Sequence, residues 1–275
     1  MFVKAKRCIL YGLLIILSVA CLFPFLLMMV NATRSGVEIT KSFTLFPGNS
    51  LQENWKIVSD YFNLFLGFAN SLKVAVPATV LTAYFSAITA YAMAIYNFKG
   101  NKALFTVIVV FMMIPGQLGL IGFYNLCTKL HLVDSYLPLI IPAIAAPGIV
   151  FFLRQYVKAV LSKSLLEAAR IDGASEIRIF HKIVLPIMAP GIATMSIGSF
   201  IGNWNNYLTP LVLLNTPRKF TLPVMIASLN SSTDMQANQG AIYLAVAISV
   251  IPILIVFCFC SKYIISSISA GGVKE

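Results

Sequence analysis

Apolar residues in this chain come in long unbroken runs rather than in alternating or amphipathic stretches. Six runs, at 8–30, 67–96, 103–125, 135–157, 184–212 and 241–264, reach the roughly 20 residues an α-helix needs to cross a hydrocarbon core of about 30 Å. Polar connections separate them. The pattern predicts an all-α polytopic membrane protein with six transmembrane helices in a single domain over 1–275. The first run follows Lys4, Lys6 and Arg7. It exceeds the 7–15-residue core of a secretory signal and carries no A-x-A cleavage site. Leu17–Cys21 faintly resembles a lipoprotein cleavage box, but the run continues past the cysteine. The expectation is a retained first helix.

Charge orients the spans. Thirteen of the 20 basic residues fall on one side of the six-span layout and seven on the other. The nine acids divide four against five, so the first side carries most of the net charge of +11. By the positive-inside rule the first side is cytoplasmic, and both termini lie there. The positive charge therefore marks cytoplasmic loops on a lipid bilayer, not a nucleic-acid partner. Composition agrees: 59% of residues are apolar and only 11% charged, against about 25% charged in soluble domains. That balance excludes an ordinary soluble enzyme, a disordered chain and a disulfide-rich secreted domain.

Candidate chemistry within the spans is sparse. Ion-coupled carriers place Asp, Glu or His inside the membrane; here few ionisable residues fall in the middle of any span, and Lys73 and Lys262 sit near span ends. No acid–base pair or nucleophile–base set is visible, and His131 and His181 have no metal-ligand spacing to a partner. The five cysteines (Cys8, Cys21, Cys127, Cys258, Cys260) read as small apolar fillers, with Cys127 in an outer loop. No G-x-x-x-x-G-K-[ST] occurs, so any nucleotide that drives this protein is bound by another chain. Nine prolines recur at or within the spans, among them Pro24, Pro77, Pro115, Pro190 and Pro252. They serve either packing geometry or a bundle that rocks between states.

One polar segment stands apart: Leu161–Pro190, between spans four and five. Ser164 and Glu167 have the spacing of a capping box that starts a short helix. Asp172-Gly173 is a stop and turn signal. Ala174–Ile183 resumes helical spacing, and Pro186 leads into span five. Two short helices with a sharp bend are expected at the membrane surface. Small residues Ala168, Ala169 and Gly173 leave a face that another protein can approach. From physics alone the segment is equally an amphipathic connector on the headgroups.

The order Glu167-Ala168-Ala169, Asp172-Gly173-Ala174, Phe180, Ile183, Leu185-Pro186 and Pro190 resembles the EAA loop of importer-type ABC permeases. The family often places Pro before this helix, where the chain has Ser162-Lys163-Ser164. Further resemblance runs through Asn70-Ser71, Ala90-Tyr91-Ala92, Phe98-Lys99-Gly100, Met113-Ile114-Pro115, Trp204-Asn205-Asn206-Tyr207 and Gly271–Lys274. Asn206 stands where Glu is common. The whole is similar to the smaller, six-span permease subunit of carbohydrate importers of the maltose type.

The resemblance implies a mechanism. Glu167, Ala168, Ala169, Asp172, Gly173 and Ala174 would form a coupling helix and turn that dock on a cytoplasmic ATPase subunit, with Glu167 pairing a basic residue there. The chain itself would hold no cofactor; ATP and Mg would be bound by two partner ATPase subunits. A second homologous permease and an extracytoplasmic solute-binding protein would complete the complex, since the loop from Asn31 to Phe65 is too short to be a binding domain. The cargo expected is a neutral carbohydrate, an oligosaccharide, because no span offers a cluster of buried cations. Ser196, Ser199, Asn203 and Asn206 recur at helical spacing on span five and read either as a polar wall toward sugar hydroxyls or as helix-packing residues. Trp204 and Tyr207 read either as sugar-stacking rings or as interface anchors. The competing classes are an ion-coupled secondary carrier and a non-transporting membrane scaffold.

Overall fold

The computed structural model describes residues 2–231 and 237–272. Asp234, Val273 and Lys274 lie outside the described residues, as do the side chains of Lys4, Cys8, Cys260, Lys262, Gly271 and Gly272. All regular structure among the described residues is helical. The chain divides into two compact units, residues 1–68 with 222–252, and residues 69–221 with 253–275.

The first unit opens with α1 (Phe2–Asn31), interrupted only by Pro24. None of the most apolar 18-residue window within Ile9–Asn31 is buried among the described residues. A helix apolar on every side and unburied is one that lipid or another membrane chain must cover. Two short helices follow, α2 (Gly36–Lys41) and α3 (Leu51–Tyr61). Ser35 and Glu38 cap α2 reciprocally: the Glu38 amide donates to Ser35 Oγ at 3.3 Å and the Ser35 amide to Glu38 Oε2 at 2.9 Å. Arg34 is buried and donates to the carbonyls of Glu38 and Ser42 at 2.7 and 2.8 Å. Asn54, also buried, donates to the carbonyls of Ala32 and Arg34, each at 2.9 Å. These bonds satisfy backbone oxygens that a turn cannot satisfy itself. A Cβ on Gly240 would sit 2.0 Å from the Arg34 carbonyl oxygen, so only glycine fits there.

The second unit carries most of α4 (Leu64–Ile95), whose Leu64–Phe68 turn belongs to the first. Residues 96–100 reverse the chain. Gly100 takes the left-handed φ of +93°, and Asn101 Nδ2 donates to the carbonyls of Met93 and Tyr96 at 3.2 and 2.9 Å. The span expected at 103–125 is two pieces. α5 (Asn101–Met112) ends before Pro115, and a 3₁₀ turn at Gly116–Gly119 leads into α6 (Leu120–Lys129), bent 90° from α5. Proline lacks the amide and pushes the preceding residue out of helical geometry, which accounts for the break at Ile114-Pro115. α6 also runs further than expected, so Cys127 is not in a loop; it is buried against Val74, Leu139, Leu213 and Leu214.

The fourth span is likewise interrupted: α7 (Leu137–Ile140), a 3₁₀ turn at Ile141–Ile144, then α8 (Pro147–Val160). Pro138, Pro142 and Pro147 each open one of these pieces, where a missing amide costs nothing. Thr82 Oγ1 on α4 donates to the Ala143 carbonyl at 2.7 Å, satisfying an oxygen released by the break. After α8 come α9 (Lys163–Ile171), α10 (Glu176–Ile179), a π turn at Phe180–Val184, and α11 (Leu185–Trp204). The fifth membrane helix ends at Trp204 instead of 212; α12 (Leu208–Leu213) is separate. α13 (Leu222–Ser231) belongs to the first unit and α14 (Gln239–Gly272) to both. Among the described residues, five helical stretches are long and apolar enough to cross a membrane, and six with the bent α5–α6 pair counted as one span.

Candidate functional site

The loop after α8 is built on one packed cluster. Leu166 and Ala169 face inward from α9 and are buried with Leu153, Val157 and Leu161 from the end of α8. Ala87, Ala90 and Tyr91 of α4, and Ile179, Phe180, Val184 and Met188 from α10 to α11, complete the cluster. Spacing explains the two faces: Leu166 and Ala169 are three apart and share a side, while Glu167 and Ala168 turn outward and are exposed. The capping box expected at Ser164 and Glu167 does not form. The helix starts two residues earlier, at Lys163, with Ser162 as N-cap and no side-chain cap bond. Ser164 Oγ instead meets Ser162 Oγ at 2.6 Å.

The end of α9 is a Schellman closure. The Gly173 amide donates to the Arg170 carbonyl and the Ala174 amide to the Ala169 carbonyl, both at 3.0 Å. Gly173 holds φ at +77°, and a Cβ there would meet nothing within 4 Å. Glycine is required by backbone angle, not by crowding. Two large apolar side chains flank this turn in the open: Ile171 is 86% exposed and Ile177 74%.

A polar brace fixes the turn. Arg170 Nε donates to Glu176 Oε1 at 2.7 Å, and the Tyr96 hydroxyl donates to Glu176 Oε2. Tyr91 Oη lies 3.3 Å from Tyr96 Oη. The Arg170 guanidinium also sits 5.8 Å from the Tyr96 ring centroid, within cation–π range. Partial burial, then the bond to Glu176, push the Tyr96 phenol well above the usual tyrosine range. The bond to Glu176 raises the Arg170 guanidinium above its ordinary value. The hydroxyl therefore stays protonated and keeps donating at physiological pH.

The second short helix expected at 174–183 is not a separate element. Ser175 caps it, its Oγ accepting from the Arg178 amide at 3.4 Å. α10 then passes through the Phe180–Val184 π turn into α11 without a break. His181 projects from that turn, its Nδ1 2.8 Å from the Ile177 carbonyl oxygen and its Nε2 3.2 Å from Tyr84 Oη.

The polar stripe of α11 is only partly gathered. Asn203 and Asn206 line a pocket of about 340 Å³ with Thr209, Gly116, Gly119 and Phe123. Asn203 Nδ2 donates to the Ser199 carbonyl at 2.9 Å, so Ser199 orients Asn203 and is not among the pocket lining. Ser196 does not line the pocket either. Asn206 lies past the helix end, which is why its place does not follow the helical spacing. Trp204 is 1% exposed, its ring stacked on Phe200 at 5.8 Å; that ring is packed inside the chain and does not line the pocket with Asn203 and Asn206. Tyr207 is exposed beside α12.

A second brace, which the sequence reading missed, lies at the other end of this unit. Asp134 takes φ of +61°, and its carboxylate accepts from the amides of Asn215 and Thr216, each at 3.0 Å, and from Thr216 Oγ1 at 2.7 Å. Lys219 Nζ donates to Asp134 Oδ2 at 2.8 Å. The lysine first, then the amide and hydroxyl donors, hold this carboxyl far below the usual carboxylate range. Buried Asn70 donates to the carbonyls of Arg218 and Phe220 at 2.8 and 3.1 Å, and the Tyr136 hydroxyl to that of Lys219 at 3.1 Å. A positive-φ Asp followed at long range by Thr and Lys leaves no short-range signal in sequence. Among the described residues no group of three His, Cys, Asp or Glu could hold a metal ion.

Known proteins are similar to this chain. Residues 80–269 match the family described as binding-protein-dependent transport system inner membrane component. The chain is 37% identical over 256 residues to the arabinooligosaccharides transport system permease protein AraQ of Halalkalibacterium halodurans, covering 92% of this chain and 91% of the relative. It is 30% identical over 268 residues to the maltodextrin transport system permease protein MdxG of Bacillus subtilis, covering 96% and 95%. A crystal structure of a bacterial ABC transporter involved in the import of the acidic polysaccharide alginate contains a chain of the same fold, with a TM-score of 0.81 at 23% identity over 95% of this chain and 97% of that one. An all-helical multi-pass chain with a braced loop before its penultimate membrane helix, matched by the family over most of its length, belongs to the binding-protein-dependent transport system inner membrane components and is a permease subunit of an ABC importer, not an enzyme.

Proposed function

We propose that this chain forms half of the translocation path for a carbohydrate, an oligosaccharide, and couples to ATPase subunits through residues 161–190. The observation that carries this reading is the exposed turn at Asp172-Gly173, flanked by Ile171 and Ile177 and tied to α4 and α11 by one apolar cluster and one polar brace. A bound protein that moves this turn moves the spans with it. Glu167, Ala168 and Asp172 supply the outward face, Ala169 and Ala174 the packed one, and Gly173 the bend. Glu167 pairs with a cation of the ATPase in a partly buried contact, where a charge counts for more than on an open surface.

The partners are a second homologous permease, two cytoplasmic ATPase subunits and an extracytoplasmic solute-binding protein. ATP and Mg are held by the ATPases, and this chain carries no cofactor of its own. The site of action is the plasma membrane of a prokaryote, with both termini cytoplasmic, as the distribution of Lys and Arg supports. The named cargoes of the relatives, arabinooligosaccharides and maltodextrin, support the substrate class. Asn203, Asn206 and Thr209 put amide and hydroxyl groups, and no charge, on the pocket in the second unit. Such a lining suits neutral hydroxyls. Ser199 positions Asn203, Trp204 supports the wall from behind, and Tyr207 stands at its edge.

The test is reconstitution of the complex in liposomes with each component omitted in turn. Sugar-stimulated ATPase activity and uptake are expected only with all components present. Uptake by this chain alone, or stimulation only by amino acids or metal ions, overturns the reading. Topology has its own check: a cysteine placed at Ser175 should resist a membrane-impermeant reagent in intact cells and react once the membrane is opened.

A further inference from the structure

A second cavity, of about 610 Å³, lies where the end of α4, the 96–100 reversal, the first turn of α5 and the last turns of α8 meet. Its charged lining is Lys102, Arg154 and Lys158, and no carboxylate lines it. None of the three makes an ion pair among the described residues. Arg154 and Lys158 are four apart on α8 and share a face.

Arg154 is held in place. Its Nε donates to the Met93 carbonyl at 3.3 Å, and its guanidinium carbon lies 3.8 Å from the centroid of the Phe105 ring, which stacks on Phe151. These contacts occupy Nε and one face of the guanidinium. The two terminal nitrogens have no hydrogen-bond partner among the described residues. A fixed guanidinium with free terminal donors, beside two mobile ammonium groups, is the donor set that a phosphate recognises.

The surroundings select the phosphate's source. Leu104, Val107 and Phe111 follow one another along α5 at spacings of three and four, and each is about half exposed. Ala103 of the cavity lining precedes Leu104 and lies one turn before Val107, so this exposed apolar side of α5 runs on from the cavity, where an acyl chain would lie. Basic pockets between membrane helices bind anionic headgroups in this way. We propose that this cavity binds the headgroup of an anionic phospholipid, with Lys102, Arg154 and Lys158 on the phosphate and Leu104, Val107 and Phe111 along one acyl chain. Placing it in the inner leaflet rests on the topology proposed above. The Ser175 labelling tests that topology by itself, and lipid binding is read independently of it and of transport.

The experiment is native mass spectrometry of the full chain in detergent, with phosphatidylglycerol, phosphatidylcholine of the same acyl chains, or inorganic phosphate added. The wild type should retain one phosphatidylglycerol with a tenfold or greater preference over phosphatidylcholine, since each of three cations near an anionic headgroup contributes severalfold. Lys158→Gln should reduce that preference severalfold and Lys158→Arg should restore it. Because Lys158 is exposed, neither change burdens folding. Adding Lys102→Gln and Arg154→Gln should abolish the preference, with the helical circular dichroism spectrum unchanged. Equal retention of the two lipids, or a preference indifferent to Lys158→Gln, overturns the proposal. Displacement of the lipid by millimolar inorganic phosphate makes free phosphate the ligand and also overturns it. So does cross-linking of a cysteine at Lys158 to an ATPase subunit in the assembled transporter, which would assign the cavity to a protein partner.

Discussion

Arg170 and Glu176 face each other across the Asp172-Gly173 turn, Nε to Oε1 at 2.7 Å, and Tyr96 at the end of α4 shares the same carboxylate. Both partners of the ion pair keep more than a third of their side-chain surface in water, 38% and 49%, so the pair contributes little to global stability. Its effect is on position. Glu176→Gln should leave thermal unfolding of the purified chain nearly unchanged and lower sugar-stimulated ATPase activity of the complex severalfold. Tyr96→Phe should do the same more mildly. The pH dependence has a defined sign. The Tyr96 pKa is raised on folding, so its contribution is full below about pH 10, the ordinary value for tyrosine, and is lost only as pH rises through the higher folded value. Ultraviolet titration of the phenolate band in wild type and Tyr96→Phe should show one late-ionising tyrosine disappear.

Gly173 separates backbone strain from crowding. A side chain there meets open space but must adopt positive φ, which costs a non-glycine residue about 1–2 kcal/mol. Gly173→Ala should lower the melting temperature modestly, and Gly173→Asn, whose side chain tolerates this conformation, should lower it less. Gly173→Asp should add a charge to the contact face and reduce coupling further than its stability loss explains. Paired melting and uptake measurements distinguish the two effects.

Leu166 and Glu167 are neighbours with opposite duties. Leu166 is buried in the cluster, and Leu166→Ala should destabilise the chain by about 2–5 kcal/mol. Glu167 is exposed, and Glu167→Lys should leave insertion and melting unchanged while uptake falls tenfold or more. Equal behaviour of the two variants in both assays would remove the distinction between the packed and the docking face of α9.

At the opposite end of the second unit, Asp134→Asn should loosen the segment that runs to Lys219. The Asp134 pKa is depressed on folding, so its stabilisation is present above about pH 4 and is lost as pH falls toward the folded value. Melting temperatures of wild type and variant should differ at pH 7 and converge in acid. A difference that persists undiminished at pH 3 would show that the carboxylate charge is not what holds the segment.

Hydropathy made the spans legible because lipid imposes one length and one composition on every crossing helix. It did not show that Pro115 divides one span, since an apolar run reads the same whether straight or bent. The 161–190 loop was legible because its polar residues and Asp172-Gly173 interrupt the apolar pattern. Its start was misplaced by two residues, as Ser162 and Ser164 are equally good caps and only tertiary packing of Leu166 chooses between them. Asn206 lies past Trp204, where the helix ends, so helical spacing does not carry its place beside Asn203, and the burial of the Trp204 ring shows only in three dimensions. The braces at Glu176 and Asp134 join residues 80 to 85 positions apart, and no local pattern carries such pairings.

The unbroken passage from α10 through the π turn into α11 has a mechanical consequence. Glu176–Trp204 is a single 29-residue helical rod, roughly 40 Å long at 1.5 Å per residue. Its loop end bears the exposed Ile177, and Asn203 stands one residue before the far end. A tilt of about 5° pivoting at the loop end would sweep the far end through roughly 3–4 Å at that length, enough to separate a hydroxyl from an amide it had touched. A lever arm of this kind needs no bending of its own. A small angular step imposed at one membrane surface becomes the making or breaking of individual hydrogen bonds at the other.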